Sequence, residues 1–110
     1  MNIASSVEVG LSVVVPVYSR FDDIDLLLNS IVCELPRIKT ALKIGVEIEI
    51  IFVDDGGSES LTESHFSNFV VPDDFVIRII RLSRNFGQHE ALLCGYMESK
   101  GSIVVRLNSD

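Results

Sequence analysis

Four short apolar runs, each followed at once by polar, charged or glycine residues, constrain this chain more than any other feature. They are Leu11–Val17, Val46–Val53, Phe75–Leu82 and Ile103–Leu107, rich in Val and Ile and bounded by turn residues, and they are predicted to be strands. The first is apolar at nearly every position, as expected of a strand covered on both faces in a parallel sheet. In the second, Glu47 and Glu49 alternate with Val46, Ile48 and Ile50 before the run turns solidly apolar, so this strand should enter from solvent and end in the interior. Between the first two runs, Ile24, Leu27, Leu28, Ile31 and Leu35 recur at helical spacing. Asp22 and Asp23 precede them where a helix dipole favours negative charge, and Pro36 is expected to stop the helix. Ser60 with Glu63 has the form of a capping box ahead of a short helix that takes in Phe66 and reaches toward Phe69. Residues 88–99 form a third helical stretch, apolar from Ala91 to Met97, with Gly101 placed to end it in a left-handed cap. The order β-α-β-α-β-α-β implies an α/β domain: an open parallel sheet with right-handed crossovers.

Composition narrows the classes. At 110 residues with 47% hydrophobic side chains the chain has the makings of one packed domain, with residues 1–10 as an N-terminal extension and 11–110 as the folded unit. Nine Lys and Arg against sixteen Asp and Glu give a net charge of −7, which argues against nucleic acid as a partner, because affinity for a phosphate backbone comes largely from basic side chains. No run reaches the roughly 18 apolar residues that span a bilayer, and no basic start precedes an apolar run, so a cytoplasmic setting is expected. Cys33 and Cys94 each sit in an apolar, helical stretch and read as reduced, buried core thiols. Two His and two Cys, all far apart, do not make a zinc site.

In open parallel sheets a ligand sits at the carboxyl ends of the strands. There this chain carries Tyr18, Ser19 and Arg20 after the first run, Asp54 and Asp55 with Gly56, Gly57 and Ser58 after the second, Ser83 to Gly87 after the third, and Asn108, Ser109 and Asp110 after the fourth. A carboxylate at 54 or 55 can accept hydrogen bonds from a nucleobase or a ribose; an Asp-Gly pair also makes an ordinary turn. Arg84, on a loop entering a helix, could bind a diphosphate together with exposed backbone N–H groups, or be a solvated surface arginine. His89 could touch a phosphate or merely pack, and His65 has no evident partner and reads as structural. Asn108 and Asp110 offer hard oxygen ligands suited to Mg²⁺ or Mn²⁺, or belong to a plain turn.

Taken together, the segments around Val13–Tyr18, Ile51–Gly56, Leu82–His89 and the strand ending at Asp110 resemble, in order and spacing, the amino-terminal half of family-two glycosyltransferases. Within them the likeness is strongest to polyprenol-phosphate sugar transferases of the dolichol-phosphate mannose synthase and undecaprenyl-phosphate aminoarabinose transferase types. The resemblance implies the nucleotide-binding half of a GT-A fold that takes a nucleotide-diphosphate sugar. It implies that Pro16, Val17 and Tyr18 line the nucleoside pocket, that Asp54 and Asp55 include the carboxylate holding the base, and that Arg84 lies near the diphosphate. Asn108 and Asp110 would fall on the family's DXD positions and hold the divalent metal, with polyprenyl phosphate as acceptor and inversion as outcome. A parent protein at the cytoplasmic face of a membrane would fit the same likeness.

The chain departs from the pattern at Ser19 and Arg20, where Asn-Glu or Asn-Arg is usual, at Gly57, which displaces Ser58 by one place, and at Asn108, which replaces a carboxylate. The family's catalytic base and acceptor-binding segment lie beyond the DXD position, so this stretch alone is expected to bind donor without turnover. The alternative is a non-catalytic nucleotide-sugar-binding module or inactive paralogue, which Asn108 favours. A phospho-receiver domain is disfavoured because its acid pair follows the first strand, which here ends in Pro16, Val17 and Tyr18.

Overall fold

The structure, a computed structural model, describes residues 9–18, 21–41 and 47–107. Its centre is the first apolar run. Val9–Val17 form β1, and every residue from Gly10 to Val17 is buried, because β1 has a strand on each side and a helix over each face. Glu47–Asp54 form β2, Phe75–Arg81 β3 and Ile103–Arg106 β4, and the described strands pair in the order β3-β2-β1-β4, all parallel. In register, Val13 lies beside Ile50 and Val105, and Ile50 beside Ile77. The open parallel α/β sheet expected from the pattern is therefore present.

Two helices, α1 (Ile24–Ala41) and α2 (Gln88–Glu98), cover opposite faces. Alternate strand residues face opposite sides. On one side Leu11, Val13, Val15 and Val17 join Ile48, Ile50 and Phe52 beneath Ile24, Leu28 and Ile31 of α1, with Phe66 stacked on Phe52 at 6.2 Å between ring centroids. On the other, Val14, Ile51 and Val53 meet Ala91 and Leu92 of α2. Gly95 lets that helix come close, since a Cβ there would lie 2.3 Å from Val14 Cγ1.

Several local expectations are corrected. Helix α1 runs through Pro36 to Ala41. A helical proline forfeits one hydrogen bond and crowds the preceding turn, which costs stability without forbidding continuation, and beyond it the Thr40 hydroxyl donates to the Pro36 carbonyl at 2.9 Å. Cys33 is exposed, two residues past buried Ile31 and so on the opposite side of the helix, while Cys94 is half-buried against the α2 core. The segment after β2 forms only a 3₁₀ turn, Glu63–Phe66, with Phe69 outside it. Its cap is Thr62, not Ser60, and the reciprocal partner is His65, whose Nδ1 accepts the Thr62 N–H at 3.0 Å. His65 also meets Phe21 edge-on at 5.0 Å, which gives it the structural role expected of it. Helix α2 ends in extended backbone at Ser99, whose N–H and hydroxyl both donate to the Tyr96 carbonyl. Gly101 does not have positive φ; it is small because a Cβ would strike Ser12 at 2.7 Å. Finally, Glu49 does not face solvent: it is only 2% exposed.

Candidate functional site

The strand order makes a crevice. From β1 the chain steps outward to β2 and β3, then returns to place β4 on the far side of β1. The connection leaving β1 therefore starts α1 on one face, and the one leaving β3 starts α2 on the other, so the two diverge at a topological switch point. Pro16 offers no donor on one side of it. Val14 turns its carbonyl toward β4, accepting the Leu107 N–H, and Val17 turns its carbonyl toward β2, accepting the Asp55 N–H. In phase with Val14, Pro16 directs its missing donor to the β4 side, past Val14 with Arg106, the last pair among the described residues.

A cleft of about 680 Å³ opens there, lined by Pro16, Val17 and Tyr18 from the end of β1, Asp22, Asp23 and Ile24 from the start of α1, Asp55 after β2, and Asn85, Gly87 and Gln88 at the start of α2. Tyr18 is half-exposed. Pro16, Val17 and Tyr18 thus share one cleft with Asp55.

The two adjacent aspartates do different things, because neighbouring strand residues point to opposite faces. Asp54 is fully buried and turned away from the cleft. Its Oδ2 accepts the Leu61 N–H at 2.9 Å and the Arg81 guanidinium at 2.6 Å, while Arg81 also donates to the Gly57 carbonyl at 2.7 Å. Asp54 and Arg81 strap down the loop after β2. Asp55 reaches across the cleft wall instead: its Oδ1 accepts the Phe86 N–H at 2.8 Å and its Oδ2 the Gly87 N–H at 3.0 Å. Gly56 completes the join. With φ of +67° it brings its Cα against the Arg84 backbone, where a Cβ would be 2.3 Å from the carbonyl carbon.

This corrects the picture of free amides beside Arg84. The Phe86 and Gly87 N–H groups are turned to Asp55, a carboxylate already held at the end of β2, so they are committed inside the protein. Arg84 itself is exposed, stacks over the Phe86 ring at 4.7 Å and does not line the cleft. His89 is likewise exposed and off the lining. Asn108 and Asp110 lie outside the described residues, as do Ser19 and Arg20. Among the described residues no group of three or more His, Cys, Asp or Glu side chains could hold a metal ion, so no ligand set for Mg²⁺ or Mn²⁺ is visible.

Sequence reasoning passed over four cleft residues. Asp22 and Asp23 read only as partners of a helix dipole, and Asn85 and Gln88 carry no role of their own in the sequence. The signal available was position: all four flank a helix start at the carboxyl edge of the sheet.

A second polar cluster lies away from the cleft, where α2 ends. Glu49 Oε2 accepts the Ser12 hydroxyl at 2.5 Å and the Lys100 N–H at 2.5 Å, and its Oε1 accepts Arg78 at 3.2 Å. Arg78 also donates to the Glu98 carbonyl at 2.8 Å, and the Ser12 oxygen accepts the Gly101 N–H at 2.8 Å. Burial works against ionisation of Glu49, but the hydrogen bonds from Ser12, Lys100 and Arg78, with the charge of Arg78, outweigh it and hold the carboxyl below its ordinary value.

Comparison with known proteins gives one consistent answer. Residues 12–110 match the family model described as "Glycosyl transferase family 2". Among curated proteins, the chain is 35% identical over 100 residues to undecaprenyl-phosphate 4-deoxy-4-formamido-L-arabinose transferase of Proteus mirabilis, covering 91% of this chain and 28% of the relative. It is 32% identical over 101 residues to the enzyme of that name from Pectobacterium atrosepticum, covering 92% and 29%, and 34% identical over 101 residues to that of Yersinia pestis, covering 91% and 28%. The chain thus spans less than a third of the length of these relatives.

Proposed function

This chain belongs to glycosyl transferase family 2, and on that premise we propose that it is the donor-binding part of a transferase moving a sugar from a nucleotide-diphosphate sugar to polyprenyl phosphate. The observation that carries the reading is the cleft at the strand ends with Asp55 in its wall. Each Asp55 oxygen accepts one amide N–H, and a carboxylate oxygen can accept two bonds, so each keeps an acceptor site for the imino or amino group of a base. The described lining holds the carboxylates of Asp22, Asp23 and Asp55 and no Lys or Arg. Such a surface suits the hydrogen-bond donors of a nucleoside, its ring N–H groups and ribose hydroxyls, better than it suits a diphosphate. Tyr18 supplies a ring face for the base, and Pro16 and Val17 supply apolar walls.

The diphosphate then belongs toward Arg84, one residue before the cleft-lining Asn85, and the family resemblance assigns its metal to Asn108 and Asp110, which lie outside the described residues. A divalent Mg²⁺ or Mn²⁺ held there would neutralise charge on the departing nucleoside diphosphate. In the transfer, an acceptor phosphate oxygen forms a bond to the anomeric carbon as the bond from that carbon to the diphosphate oxygen breaks, inverting the centre. The acceptor named for the relatives, undecaprenyl phosphate, supports a polyprenyl phosphate here. Asn108, an amide at the first DXD position, favours a second reading, a nucleotide-sugar-binding module without activity.

Calorimetric titration with UDP and GDP, each with and without Mn²⁺, tests the donor site. Asp55→Asn is expected to weaken binding about tenfold to a hundredfold, the worth of a hydrogen bond to a charged group, and Arg84→Ala to weaken diphosphates more than nucleosides. Unchanged affinity in Asp55→Asn would refute the assignment. In a longer chain that includes the remainder of the enzyme, Asn108→Asp separates the readings: a large gain in metal-dependent turnover marks a degenerate site.

A further inference from the structure

Helix α2 is held at both ends by carboxylates that β2 positions, Glu49 within the strand and Asp55 just past its end. At its start, Asp55 accepts the Phe86 and Gly87 N–H groups; just past its end, Glu49 accepts the Lys100 N–H and, through Arg78, reaches the Glu98 carbonyl. The lengths agree: six extended residue steps carry the chain from Glu49 to Asp55, about 20 Å, and α2 rises about 15 Å from Gln88 to Glu98 before its flanking residues are added. Midway, Gly95 rests on Val14 and Val53. Ser12, the register partner of Glu49 on β1, carries the attachment onto the central strand and also takes the Gly101 N–H.

We propose that Glu49 is a positioning residue that fixes how far α2 lies along the sheet, and so keeps the Phe86 and Gly87 amides on Asp55 in the cleft wall. The apolar contacts of α2, chiefly Ala91 and Leu92 on Val14, Ile51 and Val53, are non-directional and resist lifting more than sliding. Hydrogen bonds to a buried carboxylate are directional and resist sliding. Three donors, the Ser12 hydroxyl, the Lys100 N–H and the Arg78 guanidinium, converge on Glu49. An amide cannot replace it: a glutamine would set its own NH₂ against either the Lys100 N–H or Arg78, whichever way it turned. For nucleotide affinity the inference rests on the donor-site reading; for the geometry of the cleft wall it does not.

The test is native-state amide hydrogen exchange at Phe86 and Gly87, together with UDP and GDP titration in Mn²⁺, on the chain carrying Glu49→Gln. Ser12→Ala serves as a second variant and Phe66→Leu, in the opposite core, as a control for stability alone. Glu49→Gln and Ser12→Ala are expected to speed exchange at the two amides by about threefold to thirtyfold, the range found for residues that transmit coupling, and to weaken nucleotide binding in the same sense. Phe66→Leu should lower the melting temperature without either change. Exchange at Phe86 and Gly87 that follows the melting temperature equally in all three variants would overturn the proposal. Should the unaltered chain bind neither nucleotide, the donor-site reading fails, and the exchange rates still decide the role of Glu49.

Discussion

The two faces of the sheet are fastened by different physics. Under α1 lies a continuous apolar layer from Leu11 to Phe75, with Phe52 at its middle and Phe66 stacked upon it. Under α2 the apolar layer is much smaller, and buried carboxylates make the fixed points at both ends. Apolar burial supplies most of the free energy of folding but little sense of direction, whereas charged hydrogen bonds contribute less net stability and set position. The cleft is walled partly by the second face, through Asp55, Gly87 and Gln88. A binding site needs groups placed to a fraction of an ångström, and that is the face where the chain uses directional contacts.

The contrast can be broken most forcefully at Phe52. Removing this fully buried ring by Phe52→Ala should cost about 3–5 kcal/mol, read as a lower urea midpoint; a cost below 1 kcal/mol would mean the first face is not the main store of stability. A smaller effect is expected at Gly95, where Gly95→Ala forces a Cβ onto Val14 and lifts the middle of α2. A loss of about 1–3 kcal/mol is the usual result of overpacking, and chemical shifts at Gly87 and Gln88 should move with it. The smallest effect sharpens the comparison through pH. Because the Glu49 carboxyl titrates below its ordinary 4.5 in the folded chain, its ionised form stabilises folding fully above that value and loses the contribution as pH falls through the folded value. Chemical melts of the unaltered chain and of Glu49→Gln should therefore differ most near neutrality and converge in acid; a gap that widens in acid would contradict the assignment.

How much of this was legible from residues alone depended on whether the signal was local. The strands and the parallel sheet follow from short apolar runs and what comes after them, while the grouping of Pro16, Val17 and Tyr18 in one pocket comes from the family resemblance of their segment. Glu49 was misread because an alternating Glu looks the same whether its face meets water or a partner, and its partner Arg78 lies 29 residues away. Ser60 with Glu63 and Thr62 with His65 are two overlapping caps, and the frame adopted is the one that accompanies Phe66 stacking on Phe52. Pro36 looks like a stop because a proline's cost is visible in sequence while the contacts that offset it are not. The separation of Asp54 from Asp55 could have been anticipated, since consecutive strand positions face opposite ways; what could not be seen was that Arg81 and the Phe86–Gly87 amides wait on those two sides.

The place of β1 also dictates the order in which the molecule can be made. Its neighbour on one side, β2, follows after a single helix, but on the other side the contacts reach across almost everything in between, as when the Ser102 hydroxyl donates to the Gly10 carbonyl 92 residues away. During synthesis the most apolar strand must therefore wait, one edge bare, while three further elements leave the ribosome. Such long-range parallel pairing closes slowly and leaves a nascent chain open to association. The missing donor of Pro16 lies on that waiting edge, so a residue that lines the cleft in the finished fold also makes the unfinished strand a poorer template for a stranger.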